Sequence, residues 1–153
     1  MKYSLQQISD RLEIEDVLVA YSEAIDTQNF EALDDIFTED AEIDYSAMGG
    51  PVGSYPEVKV FLQQSLPAFK NTQHMISNFQ ISLDKNDADK AAGKIMCFNP
   101  MELELGEQQD NPLFFLGLWY IDSYQRIDNA WRISRRREIK SYDFNTPDFI
   151  QFD

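Results

Sequence analysis

Few side chains in this 153-residue chain can move a proton near neutral pH. The only histidine, His74, opens the run HMISNF. Imidazole is the one side chain whose ordinary pKa lies near neutrality, so it can serve as a general base. Side chains alternate along a strand, which places His74, Ile76 and Asn78 on one expected face. Asp26 falls near the C-terminal end of a long amphipathic segment that also carries Tyr21. A carboxylate there meets the negative end of the helix dipole, and dehydration would raise its pKa further. Such a group can shuttle a proton or anchor an imidazole. Each residue also has a plainer reading. Asp26 can be a solvated helix stop, and His74 an ordinary core or surface residue.

Other chemistries find less support. One histidine and one cysteine, Cys97, cannot make a zinc set, and Glu102, Glu104 and Glu107 alternate with other residues as a solvated strand edge would. No glycine-rich nucleotide loop, P-loop or serine-nucleophile motif occurs, so neither a cofactor nor a metal is expected. The 27 acidic against 13 basic residues give a net charge of −14, which repels nucleic acid and anionic membranes as partners. A single cysteine excludes an internal disulfide and suits a reducing compartment. The opening Met1-Lys2-Tyr3-Ser4 leads into a polar helix start rather than a signal segment, and no apolar run is long enough to span a bilayer. A cytoplasmic location is expected. The 11 Phe, 7 Tyr and 2 Trp fill a core or line a site for a flat, hydrophobic small molecule.

The elements that must position these groups follow from periodicity. Ser4 and Gln7 form a capping-box pattern, and Leu5, Ile8, Leu12, Ile14, Leu18, Tyr21 and Ile25 recur at helical spacing. Asp10, Arg11, Glu13, Glu15, Asp16 and Glu23 occupy the other side. Thr27-Gln28-Asn29 breaks the helix, with Asn29 as N-cap of a second one over Phe30–Phe37. Ala41–Ser46 reads as a strand, Met48–Gly53 as a loop, and Tyr55–Phe69 as a third helix that Pro67 ends or kinks. Beyond Lys70-Asn71 the period becomes two, giving strands over Gln73–Leu83, Ala91–Leu105, Leu113–Ile127 and Trp131–Tyr142. The turns fall at Asp84–Asp89, Gly106–Asn111 and Asp128-Asn129. Helices followed by a meander predict an α+β fold with the helices on one side of a curved sheet. No linker or repeat divides residues 1–153, so one domain is expected. Phe144, Phe149 and Phe152 form an apolar strip in the tail.

Residues 11–41, RLEIEDVLVAYSEAIDTQNFEALDDIFTEDA, taken with His74 and Asn78, resemble the SnoaL-like branch of the NTF2-like superfamily. Tyr120 and Asp122 with Arg126, and Trp131-Arg132-Ile133 after Ala130 in place of the family's glycine, extend the resemblance from Ile8 to Tyr142. Polyketide cyclases, scytalone dehydratase and the bile-acid dehydratase are relatives. The resemblance implies a cystatin-like cone, with three N-terminal helices packed on a strongly curved antiparallel or mixed sheet around one deep pocket. It implies an acid/base pair of Asp26 and His74, with His74 as base, Asp26 orienting it, and Tyr21 and Asn99 holding an oxygen. Phe30, Tyr45, Phe61 and Asn78 would line the pocket. Arg135 is the expected cation of the last strand among Arg135, Arg136 and Arg137, because its face is partly apolar. Tyr120, Asp122, Tyr124 and Arg126 share a face by alternation, so Asp122 and Arg126 can pair there.

The activity implied is that of a cofactor-independent lyase, isomerase or cyclase, removing a proton beside a carbonyl of a hydrophobic cyclic substrate. A non-catalytic binding protein and the small β-type subunit of a ring-hydroxylating dioxygenase are the alternatives on the same fold. One departure is clear. The dehydratases carry a further His or Asp on the strand after the first histidine, whereas Ile95–Asn99 here offers only Cys97 and Asn99. A homodimer through the free sheet face is expected.

Overall fold

Ser4 sets the start of the first helix. Its hydroxyl accepts from the Gln7 amide at 3.1 Å, and the Gln7 side chain accepts from the Ser4 amide at 2.8 Å. In the computed structural model, which describes residues 2–106, 111–148 and 150, helix α1 then runs Leu5–Asp26. Ile14, Leu18, Tyr21, Ala24 and Ile25 are buried, but Leu5, Ile8 and Leu12 from the same expected stripe stay exposed. The buried stripe begins instead at Asp10, which accepts from Arg126 Nη1 at 2.9 Å and Trp131 Nε1 at 3.3 Å. Partners make that buried carboxylate tolerable.

Gln28 adopts a left-handed φ of 55° and turns the chain after α1. The expected second helix is shorter than its apolar pattern. A 3-10 turn covers Phe30–Ala32, with no side-chain cap from Asn29, and α2 covers only Leu33–Ile36. Strand β1 starts early and spans Phe37–Asp44. A short strand β2, Val52–Ser54, pairs with it. Helix α3, Tyr55–Ser65, is capped by Ser54 and Glu57 and stops before a 3-10 turn over Leu66–Ala68, where Pro67 lacks a donor. Then come β3 (Phe69–Thr72), β4 (Met75–Leu83), β5 (Lys90–Leu103), β6 (Leu113–Ile127) and β7 (Ala130–Phe144). Neither β2 nor β3 was marked by a sequence pattern, because three or four residues are too few to establish alternation.

The sheet order is β2-β1-β7-β6-β5-β3, with β4 also paired to β5. Strand β1 runs parallel to β7, and the other pairings are antiparallel. Three helices therefore cover the concave side of one strongly curved mixed sheet, the α+β cone expected. No described helix is long and apolar enough to cross a membrane. Glu107, Phe149 and Phe152 lie outside the described residues.

Two bulges overturn simple alternation. On β7 the register slips between the Tyr124–Ile133 and Ser123–Arg135 pairs, leaving Ser134 as an extra residue. Trp131 and Ile133 point inward before it, and Arg136 after it. Arg135, the expected inward cation, is exposed and lies 3.9 Å from Glu42. On β4 the register slips between Ser77 and Gln80. There Asn78 takes a left-handed φ of 53° and is exposed, off the face expected for it beside His74 and Ile76.

Arg136 is fully buried, and so is its partner. Its Nε and Nη2 donate to the two oxygens of Asp122 at 2.9 and 2.6 Å. Asp122 thus pairs across to β7, not along its own strand with Arg126, which is held by Asp10 and Asp89. The guanidinium is packed between the rings of Tyr21 and Tyr120, 4.2 and 4.0 Å from their centroids. Removing one partner leaves a bare buried charge, so Asp122→Asn is expected to lower unfolding free energy by about 3–5 kcal/mol in urea denaturation. A loss below about 1 kcal/mol would contradict a load carried by this pair.

Candidate active site

Helix α1 ends where β3 hands over to β4. The period-two pattern placed His74 near the start of a continuous strand over Gln73–Leu83, but the ladder breaks at Gln73-His74 and β4 begins only at Met75. The break frees the His74 amide, which donates to Asp26 Oδ2 at 2.8 Å. His74 Nδ1 meets Asp26 Oδ1 at 2.6 Å, and Thr72 Oγ1 donates to the same oxygen at 2.8 Å. One carboxylate therefore fixes the ring, the backbone behind it and the strand end beside it.

Burial pushes the Asp26 carboxyl up. The hydrogen bond and charge of His74, the His74 amide and the Thr72 hydroxyl outweigh burial and hold it below the usual carboxylate range. The raised carboxyl expected from the helix dipole is not what forms. An ionised Asp26 accepts from Nδ1–H and so leaves Nε2 of the neutral ring as the basic nitrogen.

Nε2 faces Asn99, the second residue expected to hold a substrate oxygen. The Asn99 amide nitrogen is placed by its neighbours toward the carbonyls of Gln73 at 3.3 Å and Pro100 at 3.2 Å. Its oxygen then lies 3.3 Å from His74 Nε2, able to accept from that nitrogen once it carries a proton. With Nε2 bare, the same amide turned over brings its nitrogen to 3.3 Å and donates to the ring, so Asn99 partners His74 in either protonation state.

A cavity of about 390 Å³ opens in front of His74. Phe61, Leu62, Leu66 and Phe69 line it from the α3 side, with Met101, Phe114, Leu116, Leu118 and Tyr120 from the sheet. Ile150 of the tail closes part of the wall. Tyr21 and Tyr45 enter together, their hydroxyls 2.8 Å apart. Burial pushes Tyr21 up to about 12, against the opposing charge of Arg136, and carries Tyr45 well above its ordinary value. Both phenols keep their protons near neutrality. One donates to the other, which leaves the second proton for a ligand oxygen. Cys97 is buried on the inner face of β5 beside Tyr120, where burial pushes its thiol up to about 12, so it is no nucleophile.

The structure brings Tyr21, Tyr45, Phe61, His74 and Asn99 to one cavity, with Asp26 directly behind His74. Phe30, Asn78 and Arg135 do not reach it. Phe30 is carried by the 3-10 turn and wedges against the core beside α1 and α3. Asn78 and Arg135 are turned outward by the bulges of their strands. Two residues that alternation missed take part: Arg136 beneath the tyrosines, and Glu138, whose half-buried side chain lines the cavity. The Arg135-Arg136-Arg137-Glu138 run was visible in the sequence, but the parity of the strand was not. Among the described residues, no three His, Cys, Asp or Glu side chains gather as a metal site would require.

With this geometry in place, the chain belongs to the SnoaL-like domain family, whose model matches residues 6–137. Uncharacterized proteins of Mycobacterium tuberculosis and Mycobacterium bovis are 46% identical to it over 139 residues, covering 91% of this chain and 90% of theirs. Solved structures share the NTF2-like fold. A putative scytalone dehydratase from Novosphingobium aromaticivorans has 21% identity and a TM-score of 0.79, covering 93% of this chain and 91% of its own. A hexachlorocyclohexane dehydrochlorinase of the LinA type from Novosphingobium barchaimii has 22% identity and a TM-score of 0.75, covering 97% of each chain.

Proposed function

We propose that this protein is a cofactor-independent enzyme that removes a proton beside a carbonyl in a hydrophobic, cyclic small molecule. The single observation that carries the reading is the Asp26–His74 contact of 2.6 Å beside a largely apolar cavity that His74 lines. In outline, Nε2 takes the proton, Asp26 stabilises the imidazolium that forms, and the Asn99 oxygen accepts from the newly protonated nitrogen. The developing oxyanion is met by the free proton of the Tyr21–Tyr45 pair, with the Arg136 charge behind the Tyr21 ring. The named activities of the two structural relatives are both eliminations, the loss of water and of hydrogen chloride, and proton removal is the step these share.

Hydrogen–deuterium exchange tests the reading without a known product. Cyclic ketones incubated with the protein in D2O are expected to lose α-proton signal by NMR, and His74→Gln is expected to slow that loss by about 10²–10⁴-fold. Exchange that is as fast with His74→Gln would remove His74 as the base. Ligand binding with no exchange at all would leave a binding protein.

We further propose that the protein pairs with a second copy through the outer sheet face. There Phe115 lies tilted against Phe98 and stacked on Phe144, at 5.6 and 6.0 Å between ring centroids, and Met75, Ile139 and Tyr142 are exposed. Such a contiguous apolar patch favours burial against a twin. Light scattering at micromolar concentration is expected to give twice the chain mass, and Phe144→Asp to shift it toward the monomer. A wild-type protein that scatters as a monomer throughout that range would rule the dimer out.

A further inference from the structure

Glu138 is a carboxyl group that lines the cavity without a hydrogen bond to any described residue. The bulge at Ser134 turns it inward on β7, two positions beyond Arg136 on the same face. Arg136 is the natural partner, but two of its nitrogens are committed to the oxygens of Asp122. Glu138 makes no hydrogen bond or ion pair with any described residue. A half-buried carboxyl that faces an apolar wall without a hydrogen-bond partner is disfavoured when ionised, and such a group calls for an explanation.

Its surroundings favour the neutral acid. Burial is the main cause, and the charges of Asp122 and Asp44 add to it, while Arg136 opposes; together they push Glu138 up to about 8. The remaining groups around it are the phenols of Tyr21, Tyr45 and Tyr120, which keep their protons, and the equally protonated Cys97 thiol. His74 lies farther round the concave face, with β6 and β5 between β7 and the β3–β4 junction. The cavity thus has the base His74 at the β3–β4 junction and the Glu138 carboxyl on β7 in one lining, with the phenols of Tyr21 and Tyr45 and a largely apolar remainder.

We propose that Glu138 is the general acid of this site, protonating a hydroxyl leaving group, so that the reaction is loss of water from a β-hydroxy carbonyl compound. The inference rests on the Asp26–His74 reading and names the substrate class for it. The Cα–H bond breaks with its proton passing to His74 Nε2, and its electron pair becomes the Cα=Cβ bond. The Cβ–O bond breaks as Glu138 gives its proton to the departing oxygen, which leaves as water. Glu138 then recovers a proton, and His74 loses one, through solvent. Chloride departs readily without a proton and hydroxide does not, so a positioned acid favours a hydroxylated over a chlorinated substrate.

Two measurements decide this. In ligand-free protein labelled with 13C at glutamate carboxyls, the signal missing from Glu138→Gln should remain that of a neutral acid at pH 7. A Glu138 signal that titrates with the surface glutamates overturns the proposal. With cyclic β-hydroxy ketones in D2O, Glu138→Gln should lower the ratio of water loss to α-proton exchange by about 100-fold. Exchange that persists while water loss is equally fast in Glu138→Gln overturns the role of Glu138 alone. Absence of exchange in the wild type overturns the dyad reading, and this inference falls with it.

Discussion

The buried pair of Arg136 and Asp122 is the constraint around which the concave face is arranged. A guanidinium without solvent has to find its donors' partners and a polarisable lining within the protein. Asp122 supplies the first in a two-pronged contact, and the rings of Tyr21 and Tyr120 supply the second. These rings come from α1 and β6, so the cation ties the long helix to the sheet at the point where the cavity floor begins. Tyr124 donates to Asp122 at 2.9 Å and completes the carboxylate's shell. Arg136 Nη1 stays buried without a partner, which marks the cost of spending this cation on structure.

The same pair shapes the chemistry. Asp122 takes up two of the Arg136 nitrogens, and Glu138 faces the cavity with only the charge of Arg136 bearing on it. The cation still lies under the Tyr21 ring, where its field opposes the rise that burial imposes on the phenol. At the opposite end, Asp26 gathers three donors from the broken β3–β4 junction, and this keeps it ionised against burial. Two carboxyl groups on one concave face are thereby driven in opposite directions, Asp26 down by its partners and Glu138 up for lack of them. Opposed environments of this kind are how one site keeps a base and an acid available together.

Much of this was legible in the chain, and what was not has a common cause. The Ser4 cap, the embedded half of α1, the long strands and the ends of β6 follow from local spacing. The closeness of Asp26 to His74, far apart in sequence, came through resemblance, since periodicity alone cannot bring a helix end to a strand junction. Alternation failed where an extra residue entered a strand. Ser134 exchanged Arg135 for Arg136 and brought Glu138 inward, and the kink at Asn78 removed an expected cavity residue. A bulge is a compromise among neighbouring strands, and a single strand's pattern does not record it. Leu5, Ile8 and Leu12 fit the helical stripe yet stay exposed, because periodicity shows which side of a helix is apolar but not how far the core extends beneath it.

The central claim is that Asp26 holds His74 with Nδ1 protonated and Nε2 bare toward the cavity. With one imidazole in the chain, long-range 1H–15N NMR reads this tautomer without overlap. The neutral ring is expected as the Nδ1–H form in the wild type, and Asp26→Ala is expected to shift it toward the Nε2–H form with the Asn99 oxygen as acceptor. A wild-type ring already in the Nε2–H form, or a tautomer indifferent to the loss of Asp26, would contradict the account.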